Sequence, residues 1–154
     1  MDTFKNVMMR IFAVIAALML LTGCVNVATS QVDPSADLNS LKSMYVKQIP
    51  EDKRGVNELI ATKLRSKGVK VTTGVDEPKG AYDAFVTYAD KWMWDITMYL
   101  LQLTVTVRDP KTDYPMASAN SLHGSLTRLS PTEMVAETLN NIYNGKVTEP
   151  EPLK

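Results

Sequence analysis

Residues Ile11 to Leu21 form an unbroken apolar run, preceded by Lys5 and Arg10 and followed by the small residues Thr22-Gly23. A basic start, a short apolar stretch and a small-residue end are the three parts of an export signal. A transmembrane helix wants roughly 20 apolar residues. This run has 11 and polar residues follow it, so it reads as a signal removed with residues 1–23. What remains must fold outside the cytoplasm, and Cys24, the single Cys of the 154 residues, can form no intrachain disulfide. Stability therefore has to come from one ordinary hydrophobic core, for which a 45% hydrophobic composition is sufficient. The 17 Lys+Arg balance 17 Asp+Glu, which argues against a nucleic-acid partner.

Leu21-Thr22-Gly23-Cys24 resembles the lipobox of bacterial lipoproteins. The resemblance implies that the Cys24 thiol takes a diacylglyceryl group, that cleavage precedes it and that the new amine is acylated. Val25 stands where that family uses Asp for retention in the inner membrane, which implies outer-membrane sorting on the periplasmic side. At about 0.8 kcal/mol per buried CH₂, two or three acyl chains hold a protein effectively permanently. The membrane is thus the first partner, and covalent acyl chains replace any bound cofactor. Removal of Lys5, Arg10 and Asp2 leaves 15 basic and 16 acidic side chains, so lipid rather than a basic patch provides the hold. The alternative, a plain secretory signal, leaves a lone reactive thiol in an oxidising compartment.

Residues 24–40 are rich in Ser, Asn, Asp and Ala, show neither helical nor strand period, and read as a flexible tether. Residues 41–145 read as the folded domain, and 146–154, with two Glu-Pro pairs, as an extended tail. Within the domain, strands are expected at Leu41 to Ile49, Val69 to Thr73, about Tyr82 to Trp92, Ile96 to Arg108 and, after a hairpin loop from Asp109 to Pro115, onward to about Thr127. Val56, Leu59, Ile60 and Leu64 recur at helical spacing and stop at Lys67-Gly68. A second helix opens on Ser130-Pro131 with Glu133 completing a capping box, and carries Met134, Val135, Leu139 and Ile142 as its apolar stripe. The order β-α-β-β-β-β-α predicts an α+β fold, a two-layer sandwich with a mostly antiparallel sheet of about five strands and both helices on one face. The small residues of Met116 to Ser121 suit close approach of a covering helix.

The helix ending Leu64-Arg-Ser-Lys-Gly68, the strand start Asp83-Ala-Phe-Val-Thr-Tyr88 and the closing helix after Ser130-Pro131 resemble small envelope lipoproteins with the fold of the TolB N-terminal domain. That set includes the ring-forming lipoprotein of the Pel polysaccharide exporter. The resemblance rests on topological cues and implies a fold more than a role.

Chemistry is sparse. His123 is the only histidine, and it shares a strand face with Ala117, Ala119 and Ser121. Triads with Ser118, Ser121 or Ser125 can be drawn, but no nucleophile elbow exists, and His123 reads as structural. Asp90 and Asp95 flank Trp92 and Trp94 as a glycosidase pair might, yet Asp is an ordinary residue at a hairpin tip. Gly74 and Gly80 form no phosphate loop, and no metal-ligand cluster is expected. The distinctive stretch is Asp90 to Leu100, with both tryptophans. Pairing Phe85 with Val105, Thr87 with Leu103 and Ala89 with Leu101 makes one face apolar. It then places Tyr88, Trp92, Met98 and Leu100 together on the opposite, open face, with Trp94 at the turn. These five residues are the expected partner-binding patch. The reading is a non-enzymatic outer-membrane lipoprotein that binds another envelope protein or copies of itself. The alternatives are a ring or accessory subunit of a polysaccharide or protein export apparatus, a small lipid or glycan binder, and last a hydrolase.

Overall fold

The computed structural model describes Met8, residues 26–76 and residues 81–144. The signal segment apart from Met8, Cys24, and the tail from residue 146 lie outside the described residues. Described elements are β1 (Val27–Val32), β2 (Ser43–Lys47), α1 (Val56–Ser66), β3 (Lys70–Gly74), β4 (Ala84–Asp95), β5 (Thr97–Arg108), β6 (Pro115–Leu122) and α2 (Pro131–Asn144). The six strands make one sheet in the order β1-β6-β5-β4-β2-β3. Neighbours from β1 to β4 pair antiparallel, while β2 pairs parallel with both β4 and β3. This is the expected α+β sandwich, with six strands instead of about five.

The extra strand lies where a tether was expected. Val27-Ala-Thr-Ser-Gln-Val32 is too small and polar to announce itself, but it pairs with an equally small partner, Val27 opposite Leu122 and Val32 opposite Ala117. After it, Asp33 Oδ1 accepts the Ser35 N–H at 2.8 Å to turn the chain, and Leu38 enters the core. The sheet thus already includes Val27–Val32, upstream of Leu41.

Both helices cover one sheet face. Helix α1 buries Val56, Ile60, Ala61 and Leu64, and its end is formed by Gly68, whose φ of +88° only glycine adopts without strain. Helix α2 buries Met134, Val135, Leu139 and Ile142 and lies over β6, where Ala117 and Ala119 leave room for it. Its start is the expected capping box. Ser130 N–H donates to Glu133 Oε2 at 2.8 Å, and the Glu133 N–H returns to Ser130 Oγ at 3.3 Å.

The β4–β5 register differs from the expected one. Val86 faces Val107, Tyr88 faces Val105 and Asp90 faces Leu103. Leu103 and Val105 are core as expected, but the β4 residues opposite them are Asp90 and Tyr88, with Val86 opposite Val107, while Phe85 and Thr87 point to the other face. Leu101 also leaves the core, because the ladder shifts by one residue between Lys91 and Trp92. Beyond that bulge Leu100 returns inward and is fully buried.

Candidate interaction site

Strands β4 and β5 outrun their neighbours. β6 ends at Leu122 opposite Gln102, and β2 pairs with β4 only from Ala84 to Val86. The ribbon from Trp92 to Leu100 therefore extends past the sheet by about four residues per strand, or about 13 Å. Two arginines brace it, Arg54 at its base and Arg128 beside its apex. The Arg54 guanidinium lies 4.4 Å over the Trp92 ring, whose Nε1 donates to Asp90 Oδ2 at 2.6 Å. Arg128 donates to Thr97 Oγ1 at 2.8 Å and to Asp95 O and Oδ2 at 2.8 and 3.1 Å, and stacks 4.1 Å over Tyr99. Between these contacts Met93, Trp94 and Met98 are exposed, and Ile96 is 87% exposed at the apex. Ile96 has a φ of +62°. A β-branched residue in that left-handed conformation is a true outlier, where a turn serving stability would carry Gly or Asn.

The five expected patch residues are therefore divided. Trp94 and Met98 are on the exposed ribbon. Trp92 is half-buried between Arg54 and the core. Tyr88 and Leu100 are core residues, at 6% and 0% exposure, so they form no part of a surface. The Tyr88 hydroxyl is what permits its burial. It donates to Asp52 Oδ2 at 2.6 Å, and the same carboxylate accepts the Arg54, Gly55 and Asn57 N–H groups at 2.9, 2.8 and 3.1 Å. Burial pushes the Asp52 carboxyl up, but these four hydrogen bonds outweigh it and hold the group below the usual carboxylate range. Burial, and then the bond to Asp52, push the Tyr88 phenol above its ordinary value. Sequence pattern missed Met93, Ile96, Arg54 and Arg128; only an apolar residue at a turn apex could have signalled Ile96.

His123 is buried, and its Nε2 lies 2.8 Å from Glu137 Oε2 while Nδ1 faces the Thr127 carbonyl at 3.1 Å. The Ser121 hydroxyl donates to the same Glu137 oxygen. The acid thus sits between Ser and His, whereas a nucleophilic relay needs the imidazole in the middle. Asp90 and Asp95, which flank the two tryptophans in sequence, are held by Trp92 and Arg128 respectively. Among the described residues no three His, Cys, Asp or Glu side chains come together to hold a metal.

The uncovered sheet face is mostly polar. Asn120 Oδ1 accepts from Gln102 and Thr104, and Thr106 pairs with Ser118 at 3.0 Å. At one end Tyr45, Tyr82 and Phe85 form an aromatic cluster with centroids 5.5 to 6.4 Å apart. The Tyr45 hydroxyl closes so tightly over Gly74 that a Cβ there would meet it at 2.4 Å. Beside the cluster a groove of about 550 Å³ is lined by Phe85, Thr87, Arg108 and Asp113.

The class defined so far is a fold, a six-stranded mixed sheet covered on one side by two helices, with a projecting apolar ribbon. No family model matches the chain, and no curated protein does. The fold is shared with solved structures of PelC dodecamers from Paraburkholderia phytofirmans. The L103M variant superposes with a TM-score of 0.56 at 16% identity, covering 77% of this chain and 98% of that one. A second PelC dodecamer gives 0.54 at 15% identity with the same coverage. A minor lipoprotein from Acinetobacter baumannii, 13% identical over 73% of this chain and 98% of its own, gives a TM-score of 0.37, too poor a superposition to bear on function. Among the described residues no helix is long and apolar enough to cross a membrane.

Proposed function

We propose that this chain is a non-enzymatic assembly module of a bacterial envelope, anchored to the outer membrane through acylated Cys24 and joined to copies of itself. The observation that carries the reading is the start of the fold. Asn26 already accepts the Thr127 hydroxyl at 2.5 Å, so folded structure is present two residues after Cys24, which supports a domain held close to its proposed anchor. The shared fold with PelC, a dodecamer, favours self-association over capture of an unrelated protein. Strands β1 and β3 stand at the two edges of the sheet, where lateral contacts between copies would be made. The arrangement of Ser121, Glu137 and His123 supports a structural role for the histidine. A small-ligand reading keeps one support, the groove beside Phe85 and Arg108.

Native mass of the lipidated protein in mild detergent tests this. A discrete oligomer that persists on dilution is expected. A monomer at every concentration, carrying a co-purified glycan or lipid beyond its own acyl chains, would replace assembly with ligand binding.

A further inference from the structure

The register of the sheet fixes which end of the molecule meets the membrane. Val27 lies opposite Leu122, Leu122 opposite Gln102, and Gln102 opposite Lys91. The first residue of β1 is therefore level with the base of the projecting ribbon, and the chain upstream of it leaves from the same end of the sheet. Cys24 is two residue steps from Asn26, a span of at most about 7 Å even when fully extended. The ribbon reaches about 13 Å beyond its base in that direction.

Most of the domain's exposed large apolar side chains gather at this end, while Val75 and Tyr114 are exposed elsewhere. Met93, Trp94, Ile96 and Met98 form the ribbon's tip, and Leu126, 85% exposed, stands on the loop whose Thr127 touches Asn26 and whose Arg128 grips the ribbon. Asp95, the acidic group nearest the apex, is neutralised by Arg128 at 3.1 Å. Trp is the side chain most at home at a bilayer interface, and Ile and Met add apolar surface beyond it. The strained φ of Ile96 fits the same purpose, since it keeps a large apolar side chain at the apex at a cost in stability.

We propose that the β4–β5 tip is a second membrane contact, which inserts Trp94 and Ile96 into the interfacial region of the bilayer that holds the Cys24 acyl chains. The inference rests on the lipid-anchor reading. With both contacts made, the domain has a fixed orientation, with β1 and the ribbon running toward the bilayer and the sheet's edges facing sideways. Neighbouring copies then meet in one plane.

The test uses the full lipidated protein reconstituted into phosphatidylethanolamine and phosphatidylglycerol vesicles. Flotation reports the anchor, and tryptophan emission reports the tip. For a tip in lipid, emission shifts to the blue, is lost when the acyl chains are brominated near the headgroup, and resists iodide. The Trp94→Phe variant loses the quenched component and Trp92→Phe keeps it. Ile96→Gly keeps or raises the melting temperature, because the turn relaxes, yet weakens quenching of Trp94. Protein that floats while Trp94 stays open to iodide overturns the inference and leaves the anchor standing. Trp94 shielded from iodide but untouched by brominated lipid also overturns it, and assigns the tip to a protein contact. Protein that does not float removes the anchor reading and the inference with it.

Discussion

Asp52 gathers four hydrogen bonds onto one buried carboxylate, and Tyr88, 36 residues away, supplies the strongest of them. Because the folded carboxyl titrates below its unfolded value, its stabilisation is complete above the ordinary carboxylate range near pH ~4 and is lost as pH falls through the folded value. Asp52→Asn should cost about 1–3 kcal/mol at neutral pH, and the gap from the native protein should narrow in acid. Urea denaturation at pH 7 and pH ~3 reads both, and a gap that widens in acid would contradict the sign. Leu103, fully buried, should cost ~2–5 kcal/mol as Leu103→Ala. Thr104→Ala on the polar face removes only a 3.0 Å hydrogen bond to Asn120 and should cost about 1 kcal/mol or less. Equal losses would mean that the strand face is misassigned. At this scale the sequence was half legible. The β5 pattern Leu103, Val105, Val107 could be read directly, whereas Ala84 to Asp90 alternates acceptably in either phase. The deciding fact is a hydroxyl satisfied by a distant carboxylate, which no local pattern contains.

Helix α2 was legible to the residue because its start is written in local chemistry, the reciprocal bonds of Ser130 and Glu133. Ser130→Ala should cost about 1 kcal/mol and lower the melting temperature; an unchanged melt would show that the cap carries no stability. Strand β1 was illegible for the opposite reason. Its residues are small and polar because both neighbours, β6 and the covering helix, leave little volume, and such a strand resembles a linker until its partner is known. A chain beginning at Leu41 would expose the β6 edge and lose Leu38 from the core. It should melt well below a chain beginning at Asn26 and aggregate more readily, as thermal scans with light scattering would register. Identical melting of the two would restore the tether reading. The ribbon was seen in the sequence as an aromatic stretch, but its exposed part shifted toward the apex, because the bulge at Leu101 turns Leu100 inward and the clamps cover Trp92.

For the whole molecule, the two-layer α+β architecture followed from hydrophobic periodicity, while the placement of the start of β1 level with the base of the ribbon emerged only from strand register. A tether of 16 residues would have let the domain tumble within roughly 20–25 Å of the bilayer. On the proposed anchor, a fold that already includes Asn26 would hold the domain close to the bilayer with the Trp94 end forward. Everything in this account depends on the acyl chains at Cys24, so the most direct test is the mass of the N-terminal peptide from protein extracted from its native membrane. The account predicts a peptide that begins at Cys24 and carries a diacylglyceryl group with a further acyl chain on its amine. A peptide that begins elsewhere, or one with an unmodified Cys24, would contradict it.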